Sequence, residues 1–258
     1  MQALWQDLRY GLRRLRNSPG LALLVAIILG LGIGANTTVF SLLKALLIPP
    51  MPVEDSRRIV LLWSANPTRS LDRSPISLPD YADLKERTRT LHDLGAFSGG
   101  SVNLTGGAEP VRTSAVRCTT NFFSILGARV AQGRSFVSEE SAPGRGTVAI
   151  LSHEAWQSRF GGDPGIVGRV VQIDGRPHTI IGVMPPGFWF LLRQAEIWLP
   201  LEEVPQSEKR DQRRLLVFGR LTPSARPVEA GAEMKVLSQR LAREHPETNA
   251  GWVIYTTG

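Results

Sequence analysis

The chain has 258 residues, 42% hydrophobic and 21% charged, with a formal net charge of +7. This is the composition of an ordinary folded protein, long enough for one large or two modest domains, without low-complexity tracts. The one cysteine, Cys118, excludes an internal disulfide and reads as a buried thiol.

The basic excess is concentrated at the start, where Arg9, Arg13, Arg14 and Arg16 face only Asp7 within the first twenty residues. With no aromatic-and-basic RNA motif and no zinc-finger spacing, nucleic acid is not the expected partner. Leu4, Leu8, Leu12 and Leu15 recur at helical spacing, joined by Trp5, while most of the arginines lie off that stripe. Residues 1–20 are therefore predicted to form an amphipathic helix along the inner headgroups, with Trp5, Arg9, Arg13, Arg14 and Arg16 at the membrane interface. Ser18-Pro19-Gly20 breaks it.

From Leu21 to Leu43 no side chain is charged. At roughly 1.5 Å per residue this run is about 34 Å of helix, against a hydrocarbon core of about 30 Å. A transmembrane helix is predicted over 21–48, with Ala26, Gly30, Gly34 and Thr38 forming a stripe of small residues for close helix packing. The arginines before it and Glu54-Asp55 after it place the N-terminus in the cytoplasm and the bulk of the chain outside. A cleavable export signal is the main rival. The long charged region, the length of the apolar run and the lack of an A-x-A-like site speak against it.

Pro49, Pro50 and Pro52 then end the helix. "RRIVLLWS" (57–64) reads as a buried strand and Pro79–Leu91 as a helix with Tyr81, Leu84 and Leu91 on its apolar side. Short strands are predicted over 101–105 and 110–117, and "TTNFFSILG" as a short helix ended by Gly127. In "TVAILSHEAWQSRFGGDP" a strand leads through Ser152, placed as an N-cap, into a helix with Glu154 in its first turn. Asp174-Gly175 sits between two β-rich runs as a tight hairpin turn. "AEIWLPL" and "RRLLVFGRL" read as strands. The last helix, 228–244, is predicted to bury Ala232, Val236, Leu237 and Leu241, and "WVIYT" reads as a final strand. The fold class is α+β: one N-terminal membrane helix, then a mixed α+β extracytoplasmic domain rich in short strands.

No catalytic chemistry is legible. Ser152-His153-Glu154 contains triad residue types, but neighbours at a helix start cannot point at one another. The histidines and the cysteine follow no metal-ligand spacing, and "GGDPGIVGR" lacks the ending of a phosphate loop and reads as a turn. Asp80, Asp83, Glu86 and Asp93 read as a solvated helix face among Lys85, Arg87 and Arg89. Phe188-Trp189-Phe190, near Trp198, reads equally as core or as contact surface. The expectation is a non-enzyme without cofactor or metal.

Several stretches together resemble one family. "DLRYGLRRLRNSPGLALLVAIILGLGIGANTTVFSLLKALL" is similar to the opening of MacB/FtsX-type ABC transporter permeases, and more closely to the duplicated orphan permeases of acidobacteria. "SLPDYADLKERTRTLHDLGAF", "NFFSILGARVAQGRSFVSEE", "VAILSHEAWQSRFGGDPGIVGRVVQIDGRPHTIIGVMPPGF" and "EIWLPL" resemble the MacB-like periplasmic core domain of that family.

The resemblance implies a core domain over 55–258. Its porter-like part would lie near 55–130 and 214–258, with a smaller β-rich insert near 131–213. It further implies a permease subunit in the bacterial inner membrane, in contact with lipid. An ABC ATPase subunit would bind on the cytoplasmic side, and another permease chain would complete a homo- or heterodimer. Such permeases carry further membrane helices after the outer domain, so this chain is expected to be an N-terminal portion. The alternatives are a membrane-tethered interaction module without an ATPase partner, and an exported hydrolase using Ser152 or a histidine.

Overall fold

In a computed structural model the described residues are 20, 23–24, 27–34, 55–105, 110–192, 195–203 and 208–257. The chain divides into two compact units, residues 1–50 and 51–258. In the first, the described residues are helical. Leu23, Leu24, Ile27, Ile28, Leu29, Leu31 and Ile33 lie between 50 and 68% exposed on that helix. Gly30 and Gly34 of the small-residue stripe belong to it, and a Cβ added at Gly30 meets nothing within 4 Å. Ala26 and Thr38 lie outside the described residues, as does the interfacial segment carrying Trp5, Arg9, Arg13, Arg14 and Arg16. Among the described residues no helix is long and apolar enough to cross a membrane.

The second unit grows from strands that bury both faces. In β1 (Ile59–Asn66), Val60 and Leu62 enter one core while Ile59 and Leu61 enter another. In β11 (Arg213–Leu221), Leu215 and Val217 alternate in the same way with Leu216 and Phe218. This period of two explains why "IVLL" and "LLVF" are continuously apolar. β1 is flanked antiparallel by β11 and by β12 (Val253–Thr257), so the last strand does find a sheet. β11 pairs in turn with the first half of β4 (Leu91–Thr105).

The first core is covered by α1 (Leu78–Arg87), through Tyr81 and Leu84, and by α4 (Pro227–Glu244), through Met234, Leu237 and Leu241. The Ser77 hydroxyl caps α1, accepting from the Asp80 N–H at 3.3 Å. The helix ends earlier than predicted because Thr88 turns extended (φ −71°, ψ 143°), which frees Leu91 to begin β4. β4 is correspondingly one long strand rather than the short one predicted over 101–105. In α4 the buried face is rotated from the expected one. Leu237 and Leu241 are buried as predicted, but Ala232 and Val236 are exposed, and Ala230, Met234 and Ser238 take their places against β1 and β12. A short helix α5 (Pro246–Asn249) follows.

The second half of β4 pairs with β5 (Val111–Cys118), and from there the strands close on themselves. β5 lies parallel to β10 (Ile197–Pro200), and β10 antiparallel to β7 (Val148–Leu151). β7 lies parallel to β9 (Arg176–Val183), β9 forms a hairpin with β8 (Val170–Ile173), and β8 returns to β4 at Leu104 and Thr105. The ring β4–β5–β10–β7–β9–β8 is a small barrel, interrupted where β4 passes from β11, paired up to Phe97, to β8, paired from Leu104. Its interior holds Val102, Leu104, Ala115, Ala149, Leu151, Val171, Ile173, Ile180, Ile197 and Leu199. Asp174 (φ 50°) and Gly175 (φ 75°) make the β8–β9 turn, both left-handed as a tight hairpin of this type requires. The short strands β2 (Leu71–Ser74), β3 (Ile76–Ser77) and β6 (Gln132–Gly133) pair at the margins with β1, β11 and β9 respectively.

The other face of the sheet meets the outer wall of the barrel across an aromatic core. α2 (Phe122–Leu126), ended by Gly127 at φ 67°, inserts Phe122 and Phe123 there. Phe188, Phe190 and Trp198 join them, so the two phenylalanines of the Phe-Trp-Phe cluster are core and not contact surface. Gly95 of β4 lies under Phe218, whose Cζ would be 2.7 Å from an added Cβ. The buried Cys118 thiol sits in this core, where burial pushes its pKa up.

Candidate functional site at the barrel mouth

The two ends of the barrel differ. At one end α3 (His153–Phe160) acts as a plug, with Trp156 and Phe160 packed among the interior side chains. Ser152 starts α3, its Oγ accepting from the Ala155 N–H at 3.0 Å. Beside the plug, the Glu196 carboxylate accepts from Arg159 Nε and Nη2 at 2.5 and 2.9 Å and from the Thr113 hydroxyl at 2.6 Å. The Arg159 hydrogen bond, more than any other influence, holds the Glu196 carboxyl below the usual carboxylate range. A lowered folded-state pKa contributes stability that is complete above the ordinary carboxylate pKa and fades as pH falls through the lowered value. Glu196→Gln is therefore expected to flatten the acid limb of a plot of unfolding midpoint against pH. An unchanged acid limb would exclude this linkage.

The other end is open. A cavity of about 540 Å³ is lined by Arg117 of β5, Thr147 before β7, His178 of β9 and the Asp174 turn, with Arg214 of β11 at its side. A second space of about 310 Å³ shares Arg117, Asp174 and Arg214 and continues along Ser98–Val102 of β4. The acids here already have partners. Asp174 Oδ1 accepts from the Asn103 N–H at 2.9 Å, Glu202 from the Gly144 N–H at 3.2 Å, and Glu208 pairs with Arg214. His178 is buried, its Nδ1 2.9 Å from the Arg176 carbonyl. Arg117 and Arg176 are exposed and enter no ion pair with any described residue. Around the mouth Arg117, Arg176 and Arg214 are thus matched in number by Asp174, Glu202 and Glu208.

The residues singled out in the sequence lie elsewhere. Ser152 is occupied as a cap, His153 stacks edge-on to Trp156 at 5.4 Å, and Glu154 accepts from the Gly187 N–H at 3.1 Å. The three have separate partners, and Ser152 carries no base. Ser152→Ala is expected to cost about 1 kcal/mol of stability, the worth of an N-cap, and a loss above about 3 kcal/mol would require a further role.

The acidic set divides, with Asp80 and Asp83 meeting at Arg210 and Asp93 held apart from them. Asp80 is fully buried instead of lying on a solvated face, ion-paired to Arg210 and Arg213, and Asp93 accepts from the Leu94 N–H and from Asn121. Among the described residues no group of three or more His, Cys, Asp or Glu is placed to hold a metal ion. Arg117, Arg176 and Arg214 were not singled out in the sequence. The available signal was Arg117 standing in phase with Thr113 and Ala115, which alternation sends to the barrel's inner side.

Comparison with known proteins accounts for most of the chain. The family model for the MacB-like periplasmic core domain matches residues 22–237. Among solved structures, the periplasmic region of MacB from Actinobacillus actinomycetemcomitans aligns with a TM-score of 0.57 at 16% identity, covering 78% of this chain and 91% of that one. A domain of a putative permease from Porphyromonas gingivalis gives 0.62 at 15%, covering 81% and 92%. The extracellular domain of YknZ, a noncanonic ABC-type transporter from Gram-positive bacteria, gives 0.56 at 16%, covering 76% and 98%. No curated protein matches the sequence.

Proposed function

The chain belongs to the MacB-like periplasmic core domain family, and from that premise we propose that it is the N-terminal portion of a MacB/FtsX-type ABC transporter permease. In this reading residues 21–48 anchor it in the inner membrane, with the arginine-rich N-terminus inside and residues from about 55 outside. An ATPase subunit and a second permease chain act on it from the cytoplasmic side and laterally. The outer unit does no bond chemistry but moves, and its movement drives export.

The family match, which begins at residue 22 within the apolar run, is the observation that carries this reading. The fold supplies a physical means. β4 is hydrogen-bonded to β11 along its first half and to β5 along its second, so a tilt of the sheet under α1 and α4 is handed directly to the barrel. We assign the porter-like part to the sheet of β1, β11 and β12 with α1, α2 and α4, near 55–130 and 214–258. The insert near 131–213 contributes β7–β10 and α3, and its barrel is completed by strands from the porter-like side.

Affinity purification of the tagged chain from native membranes tests this. An ATP-binding subunit is expected to accompany it. Recovery of the chain with outer partners only, and no ATPase, would favour the membrane-tethered interaction module instead.

A further inference from the structure

We propose that α2 is a wedge through which the sheet moves the barrel, and that Arg220 and Arg58 are the positioning residues that steer it. The source of the movement rests on the reading above, whereas this link lies within the outer unit and is measurable with no ATPase present. The co-purification can therefore fail while the link holds, and the reverse.

α2 has only five residues, too few to hold a helix on their own, so its placement is decided by what grips it. Both grips come from the sheet. At its start Asn121 Nδ2 donates to Asp93 Oδ2 and to the Leu94 carbonyl of β4, each at 2.9 Å. At its end Arg220 of β11 donates from Nε to the Ile125 carbonyl at 2.8 Å. The last carbonyls of a helix lack intrahelical partners, and a basic side chain is suited to take one.

Neighbouring residues on a helix point about 100° apart, and α2 uses this to face two ways. Phe122 meets Phe97 of β4 and Phe218 of β11, both rings of the sheet, with centroids 5.6 and 5.3 Å away. Phe123 meets Phe136, Phe188 and Trp198 at 5.8 to 5.9 Å. Those three come from the stretch assigned to the insert, and Trp198 stands on β10 of the barrel. A helix tied at both ends to the sheet thus bears on the barrel through one ring. The surrounding core is close-packed, so a shift of α2 has little free volume to vanish into.

Arg58 connects the wedge to the place where the chain enters this unit. It stands just before β1, three residues after Asp55, and donates from Nη2 to the Leu221 carbonyl at 2.5 Å. Its neighbour Ile59 pairs with Arg220, so Arg58 and Arg220 act on adjacent residues at the end of β11. A pull on the entering chain is passed to Arg220, and through the Ile125 carbonyl to α2. β4 supplies a backbone route from sheet to barrel, and this is a second route made of side chains.

Hydrogen exchange of the full 258-residue chain in detergent, resolved by mass spectrometry of its peptides, tests the link. Arg220→Met keeps the aliphatic stem and removes the donors. It is expected to speed exchange about tenfold in α2 and also in β10, with β12 unchanged. Arg58→Met is expected to give the same pattern to a smaller extent, although its hydrogen bond and ion pair reach neither segment. It carries the test if Arg220→Met does not fold. Arg220→Lys, which restores a donor for the Ile125 carbonyl, should bring both segments back toward the parent. Three results overturn the proposal: unchanged exchange in β10; acceleration confined to β1 and β12, the strands nearest Arg58; or an equal rise in every segment, as plain destabilisation gives. Arg220→Lys as loose as Arg220→Met would also overturn it, since the Ile125 bond would then not be what steers α2.

Discussion

Asp80→Ala is expected to cost the outer unit about 3–5 kcal/mol of unfolding free energy, the penalty for removing one partner of a buried ion pair. Asp80 is fully buried near the start of α1. Its Oδ1 accepts from Arg210 Nη1 and Asn249 Nδ2, both at 2.8 Å, and its Oδ2 from Arg213 Nη1 at 2.9 Å. These partners come from the entry to β11 and from α5, so one carboxylate ties together segments 130 or more residues apart. Arg213 cannot escape to water: its side chain is 7% exposed, with the guanidinium 4.0 Å from the Trp252 ring centroid. Burial already pulls the Arg213 pKa down, and Asp80 is the main influence opposing that pull. Asp80→Asn, which keeps the shape and one acceptor, is expected to lose about 1.5–3 kcal/mol, the range for hydrogen bonds to charged groups. Guanidinium titrations followed by tryptophan fluorescence would measure both. A loss under about 1 kcal/mol for Asp80→Ala would mean that water replaces the carboxylate.

Phe122→Ala is expected to be as damaging, by about 3–5 kcal/mol, through the cavity left in the aromatic core. Phe122 is 1% exposed and meets Phe97, Phe123, Phe190 and Phe218 edge-to-face, with centroids 5.2 to 5.7 Å apart. Those rings belong to β4, α2, the segment after β9 and β11, so the truncation opens the seam between sheet and barrel. The seam cannot close easily, because β4 runs through both and fixes their separation. Increased binding of a hydrophobic dye at native secondary-structure content should accompany the lost stability. Phe122→Leu, closer in volume, is expected to cost less than about 1.5 kcal/mol. Equal effects of the two substitutions would show that ring geometry, rather than filled volume, holds the seam.

Much of the fold was legible because local signals and tertiary context agreed. The Asp174-Gly175 turn, the Ser152 cap, the Gly127 helix stop and the doubly buried β1 and β11 were each set by short-range chemistry that packing then used. The errors have the opposite cause. α1 stops at Arg87 because Thr88 adopts an extended backbone, although Leu91 keeps the helical phase. Ala232 and Val236 satisfy helical spacing as well as Met234 does, but the buried phase also carries Ser238, whose hydroxyl donates to the Met234 carbonyl and accepts from the Ile254 N–H of β12. Asp80 looks solvated among its charged neighbours, and only arginines 130 and 133 residues away make its burial possible. The barrel mouth was illegible for a related reason. Arg117, Arg176 and Arg214 are scattered surface arginines until the strands close and bring β5, β9 and β11 to one opening.

The account rests on residues from about 55 onward lying outside the membrane. The most direct measurement places a cysteine in the exposed 143–145 stretch, as Arg145→Cys, and treats intact spheroplasts with a membrane-impermeant maleimide, with Gln2→Cys as the cytoplasmic counterpart. The buried Cys118 should stay silent in both. Labelling at position 145 without lysis, and at position 2 only after permeabilisation, is the predicted result. Labelling at position 145 only after the membrane is opened would contradict the account.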